Sequence, residues 1–251
     1  MTQFAHSGDG LRIAYETGGE GDPVLLIHGF ASSRAQNWRA TTWYKALNDA
    51  GFQLIAMDCR GHGDSDKPHD SSLYNYERMS GDAIAVLNAA GVEAASVVGY
   101  SMGGHIGIAL LMRHPQMIRK LALAGVGERY LHGQFDARFR IAEAILEDDI
   151  GRIADPVARG FRIFAGQAGK DRTALAACMR GDRGAYAPAE LAHATRPVLV
   201  VCGENDETSG APGPLAAAFP AARAVVIPGR DHMSAVGDKA TKEAVIGFLK
   251  E

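Results

Sequence analysis

Apolar positions along the chain fall into short runs separated by amphipathic stretches. Residues 4–7 and 11–17 read as two short strands joined by the turn Gly8-Asp9-Gly10, the signal of a β-hairpin. The pattern then changes to largely apolar runs at 24–27, 52–57, 96–98, 118–124, 197–202 and 224–227. A strand that is apolar at nearly every position belongs inside a parallel sheet covered on both faces. Helical patterns fill the gaps. Residues 43–50 stop at Gly51, 76–90 at Gly91 and 102–114 at Pro115, and 241–249 close the chain. This alternation predicts an α/β fold with helices on both faces of one mostly parallel sheet.

One region breaks the rhythm. Between 128 and 193 the sequence reads as short helices only, at 135–146, 156–165, 173–180 and 188–194. We therefore expect a core made of 1–127 and 194–251, with 128–193 inserted as a helical cap, or lid, over one end of the sheet. Within that insertion Phe135, Phe139, Phe161 and Phe164 have the spacing of core residues, and one of them is a candidate to line a pocket.

Composition narrows the function classes. With 251 residues, 47% hydrophobic and 22% charged, the chain can bury a sizeable core. A net charge of −3 and the lack of a basic stripe argue against nucleic acid as a partner. No polybasic block suggests a membrane surface, and no apolar run approaches the roughly 18 residues of a membrane span. Cys59, Cys178 and Cys202 are an odd and scattered set, which points to a reducing compartment rather than a disulfide framework. The polar start MTQFAHSGDG lacks the features of a signal peptide, so a cytoplasmic location is expected. Paired cysteines, a His-Glu-x-x-His and a phosphate loop are all missing from the sequence; neither a metal nor an organic cofactor is expected.

The chemistry sits at the run 96–107, SVVGYSMGGHIG. A β-branched strand leads into Gly99-Tyr100-Ser101-Met102-Gly103, and a helix follows at once. Strand, Gly-x-Ser-x-Gly and helix together describe a nucleophile elbow, a turn that lifts a serine hydroxyl above the sheet. Glycines at 99 and 103 give the turn room. A serine hydroxyl needs a base, an acid that orients the base, and donors for an oxyanion. Candidates stand at three other strand ends. The segment GENDE after 197–202 offers Asp206, with Glu204 and Glu207 beside it. The segment PGRDHMS after 224–227 offers His232. The segment HGF after 24–27 places the Phe30 N–H where it can join that of Met102. Asp231 adjoins His232, and chain neighbours rarely face each other, so it is read as structural.

The segments LLIHGF (25–30), DCRGHGDSDKP (58–68), GYSMGG (99–104), VCGENDE (201–207) and PGRDHM (228–233) together resemble the α/β-hydrolase superfamily. The resemblance spans nearly the whole chain except the helical insertion. It implies an eight-stranded sheet whose second strand is antiparallel. It further implies Ser101 as nucleophile, His232 as base and Asp206, three residues after Gly203, as acid. His28 is similar to the loop histidine that braces the oxyanion loop in that superfamily, and Asp58, Arg60, His62 and Ser65 read as scaffold. The function expected is hydrolysis of small to medium carboxylic esters. Carbon–carbon hydrolysis, perhydrolysis and a slow ligand-binding receptor are the rivals. Dehalogenase and epoxide hydrolase chemistry is disfavoured, because relatives with those activities carry aspartate in place of Ser101.

Overall fold

The computed structural model describes residues 1–132, 135–182 and 184–251; the Phe135 side chain lies outside the described residues. Eight strands form one sheet: β1 (Gln3–His6), β2 (Arg12–Gly18), β3 (Asp22–Ile27), β4 (Phe52–Met57), β5 (Ala95–Tyr100), β6 (Ile118–Ala124), β7 (Val198–Gly203) and β8 (Ala222–Ile227). Their order is β1-β2-β4-β3-β5-β6-β7-β8. β2 runs antiparallel to β1 and to β4, and the remaining pairs are parallel. The chain leaves β3 toward one side for β4 and returns to its other side for β5. The crevice where the winding reverses therefore opens at the carboxyl ends of β3 and β5, where α/β sheets bind ligands.

The largely apolar runs reflect burial on two faces. Along β3, Leu25 and Ile27 join one core with Ile55, Val97 and Leu121, under α2 (Tyr76–Ala89) and α3 (Met102–Arg113). Val24 and Leu26 point the other way. They pack with Trp38, with Trp43 and Leu47 of α1 (Trp43–Asp49), and with the apolar side of the C-terminal helix Lys239–Lys250. β8 pairs only with β7; its outer positions are exposed, so it alone of the parallel strands reads as half-buried.

Between β6 and β7 the described residues hold helices and no strand: α4 (Arg129–His132), α5 (Phe135–Leu146), α6 (Pro156–Ala165), α7 (Arg172–Arg180) and α8 (Pro188–Leu191). Ile141, Ile145, Ile153, Leu175 and Met179 give these helices a small core of their own. α8 ends three residues before the expected 194, as Ala192 to Ala194 form a turn. Several short elements are absent from the sequence reading: α4, the single turns Ser71–Leu73, Pro115–Met117 and Ile150–Arg152, and two that bear on the site or the sheet. Residues Ala35–Arg39 form a single π-helical turn, too short to show a period. Helix α9 (Pro212–Ala217) begins Pro-Gly-Pro, a composition that hides a helix although proline suits a first turn.

The junction of β5 and α3 is the tightest in the fold. A Cβ on Gly99 would collide with the Gly103 carbonyl, and one on Gly103 would collide with the carbonyl of Ile27. The first turn of α3 thus lies directly on the ends of β3 and β5. Gly103→Ala is expected to lower the unfolding free energy by about 3 kcal/mol or more, at the upper end of overpacking costs, in a urea titration. Gly160→Ala, inside α6 with nothing within 4 Å of the added carbon, is expected to raise it by about 0.5–1 kcal/mol.

Candidate active site

Ser101 is the residue between β5 and α3. It adopts φ 51° and ψ −116°, a conformation few non-glycine residues accept. Its N–H donates to the Ala124 carbonyl at 2.8 Å, and its carbonyl accepts the first helical bonds of α3 from Gly104 and His105. These bonds hold the strained turn in place, and strain of this kind costs on the order of 1–3 kcal/mol.

His232 stands in the loop after β8, and its Nε2 lies 3.1 Å from Ser101 Oγ. Its Nδ1 lies 2.9 Å from Asp206 Oδ2, in the loop after β7. A neutral imidazole serving both neighbours carries its proton on Nδ1, donates to Asp206 and accepts from the serine hydroxyl. Burial pushes the Asp206 carboxyl up, but the His232 bond and the Ser209 N–H at 2.9 Å outweigh it, and the group ends below its ordinary value of 3.8. Asp206 is thus ionised wherever the imidazole can act as a base.

The neighbouring acids do other work. Asp231 Oδ1 accepts from the N–H groups of Met233 and Ser234 and from the Ser234 hydroxyl, closing the turn that carries His232. Glu204 caps the Gly229 N–H at 2.8 Å, and Glu207 is exposed.

Phe30 follows β3, and Met102 opens α3. Neither N–H meets an acceptor among the described residues, and that of Met102 has none within its helix by position. The loop carrying Phe30 is braced from two sides. Burial keeps His28 neutral, pushing its pKa down; its Nε2 accepts the Cys59 N–H at 3.0 Å, so Nδ1 donates to the Gly29 carbonyl at 2.7 Å. Asn37, on the π-helical turn, accepts the Gly29 N–H at 3.1 Å.

Behind the loop the scaffold residues are fully engaged. Arg60 forms two 2.7 Å bonds to Asp82, Asp58 is paired with Arg34, and Ser65 links the Asp58 carbonyl to the Ala14 N–H. His62 Nδ1 lies 2.9 Å from the Arg60 carbonyl. A polar cavity of about 450 Å³ beside Arg34 and Asp58 is lined by charged groups paired with one another, and Ser101 is not among its walls.

The inserted helices reach both residues with free N–H groups. The Phe161 ring of α6 lies 5.9 Å from that of Phe30, and Cys178 of α7 places its sulfur 3.9 Å from Met102 Sδ. Phe164 lies under the Lys170 ammonium, and Phe139 is largely exposed, so the expected core role fails for Phe139. Phe139 faces outward because α5 turns its alanines and isoleucines to the shared core.

Three contacts escaped the sequence reading. The Tyr100 hydroxyl donates to the His232 carbonyl at 2.5 Å, Ser209 touches both Asp206 and His232, and Asn37 holds Gly29. Ser209 had a signal: a serine three residues after an acid is the spacing of a local cap. Asn37 had none, since its role depends on the π-helical turn.

Comparison with known proteins agrees with the architecture. A hydrolase from Pseudomonas aeruginosa PA01 superimposes with a TM-score of 0.84 at 28% identity, covering 100% of this chain and 98% of that one. A bromoperoxidase from Bacillus anthracis superimposes at 0.80 and 26%, covering both chains fully. The 2-hydroxymuconate semialdehyde hydrolase of Pseudomonas putida is 35% identical over 116 residues, 46% of this chain; the matched stretch spans 40% of that relative. The family model for the alpha/beta hydrolase fold matches residues 22–159. With more than half of its length matched and its eight strands in this order, the chain belongs to the alpha/beta hydrolase fold family.

Proposed function

We propose that the protein is a serine hydrolase that cleaves carboxylic esters of small to medium acyl groups through an acyl-enzyme. The observation that carries this reading is the unbroken chain from Asp206 Oδ2 through His232 to Ser101 Oγ, with separations of 2.9 and 3.1 Å. In this reading His232 Nε2 takes the Ser101 proton as Oγ attacks the ester carbonyl. Asp206 steadies the imidazolium. The oxyanion is met by the N–H groups of Phe30 and Met102, and loss of one such donor typically costs about 3 kcal/mol of barrier. His232 then protonates the departing alcohol. Water, deprotonated by the same imidazole, attacks the acyl-serine, and the acid leaves with Ser101 restored. No step needs a metal or organic cofactor.

Residues 128–193 serve as the cap in this account, with Phe161 and the α7 face toward the acyl group. Aromatic and thioether walls suit apolar acyl chains. Cys59, Cys178 and Cys202 are buried and form no disulfide among the described residues, which supports a cytoplasmic setting, and no described helix is long and apolar enough to cross a membrane. The second reading, carbon–carbon hydrolysis next to a carbonyl, draws on the Pseudomonas putida relative, whose named substrate is a semialdehyde rather than an ester. A panel of p-nitrophenyl esters set against 2-hydroxymuconate semialdehyde separates the two.

Ser101→Ala is expected to abolish turnover of p-nitrophenyl acetate and butyrate, and labelling by a fluorophosphonate, while the melting temperature holds. Retained turnover in that variant removes the assignment, and a wild-type protein that binds esters without labelling is a receptor. Asp206→Asn is expected to lower kcat about 10⁴-fold, the scale seen when the orienting carboxylate of a triad becomes an amide. Because the folded carboxyl lies below 3.8, Asp206 contributes stability that is complete above that pH and is lost as the pH falls through its depressed value. Denaturant titrations should show the wild-type advantage over Asp206→Asn constant at neutral pH and closing in acid.

A further inference from the structure

We infer that Ser209 is a second positioning residue for His232, acting beside Asp206; the inference rests on the roles proposed for Ser101, His232 and Asp206. Ser209 lies in the loop after β7 and is only 5% exposed. Its backbone N–H holds Asp206 Oδ1 at 2.9 Å, which leaves Oδ2 facing the imidazole. Its hydroxyl donates to the Gly125 carbonyl, just beyond β6, at 2.6 Å. A hydroxyl has one proton. With that proton directed at Gly125, the oxygen presents only lone pairs to His232 Nδ1, 3.2 Å away.

The Nδ1–H therefore sits between two acceptors, a carboxylate at 2.9 Å and a hydroxyl at 3.2 Å. A single acceptor lets the ring swing about its bond to Cβ. Two acceptors, both from the loop after β7 and the second tied to the end of β6 through the Gly125 carbonyl, fix its plane, and so aim Nε2 at Ser101. The rest of the surroundings are tight. A Cβ on Gly125, which has φ 64°, would crowd His232 Cε1 at 3.2 Å and the Tyr100 ring at 3.1 Å. When Nε2 takes the serine proton, both contacts at Nδ1 become charge-assisted and strengthen. An acceptor at Nδ1 favours the charged ring, so its removal makes the imidazole a weaker base.

The titratable groups around the ring leave a clear readout. Asp206 and Asp231 both lie below the ordinary carboxylate range, burial keeps the Tyr100 phenol protonated, and burial pushes the Cys202 thiol behind Asp206 up to about 12. The acid limb of kcat/KM then reports the imidazole.

The test compares Ser209→Ala and Ser209→Thr with the wild type, using p-nitrophenyl butyrate kinetics against pH and the rate of fluorophosphonate labelling. Ser209→Ala is expected to lower kcat and the labelling rate about tenfold, the scale of one hydrogen bond to a charged group. KM should stay within about twofold, as for an interaction made chiefly in the transition state. The acid limb should move to lower pH. Ser209→Thr, which keeps the hydroxyl, should recover most of the rate. An alanine variant with the wild-type kcat and pH profile overturns the inference, as does an equal loss in the alanine and threonine variants. If Ser209→Ala does not fold, Ser209→Cys carries the same comparison, with a weaker acceptor in a side chain of similar shape. The Ser101→Ala control separates the two levels: turnover surviving there removes the parent reading, whereas turnover lost there with Ser209→Ala unaffected removes only this one.

Discussion

The whole arrangement depends on how closely the first turn of α3 approaches the sheet. Gly99 and Gly103 let backbone meet backbone at the ends of β3 and β5, where any side chain would collide. That contact forces the connection into a single residue, and Ser101 takes it up at φ 51°. The same contact leaves the Met102 N–H pointing out of the helix beside the serine, next to the loop that carries Phe30. The position of Ser101 and that of the Met102 N–H are therefore one geometric fact, set by backbone packing rather than by side-chain bonds.

The remaining groups arrive from the far side of the sheet, and they are held by a different kind of force. β7 and β8 pair in register from Val198–Ala222 to Gly203–Ile227, so their following loops emerge side by side. Polar contacts then lock those loops: Asp231 closes one, Ser209 and Asp206 brace the other, and the Tyr100 hydroxyl ties His232 back to β5. The strand register fixes the approximate meeting point, and a handful of buried hydrogen bonds fixes the last ångström.

Most of this was readable from residues alone because the signals are local. The run 118–124 coincides with β6 to the residue: Arg119 and Lys120 interrupt it near its start, and its other five positions are buried between the two faces of the sheet. The elbow is legible because its glycines stand at a fixed spacing around one serine, and Gly99 answers to a contact with Gly103 only four residues away. The supporting residues were hidden for the opposite reason. Asn37 acts from a π-helical turn that has no sequence period, Tyr100 looks like an ordinary strand aromatic until its hydroxyl is seen to reach 132 residues along the chain, and Phe139 shares the spacing of a core residue yet faces outward. Long-range partners and the choice between two helix faces are decided by tertiary packing, which no local pattern encodes.

The helices inserted between β6 and β7 touch the side chains of Phe30 and Met102 through Phe161 and Cys178. Met102 follows Ser101 directly, and Phe30 follows Gly29, where an added Cβ would stand 3.5 Å from Ser101 Cβ. A change in those helices is therefore transmitted to the segments on either side of the serine. A lineage that rewrote α6 or α7 would, in the same stroke, press on both segments beside the serine, and divergence would have to proceed by paired changes, one in the insertion and one in the loop beneath it.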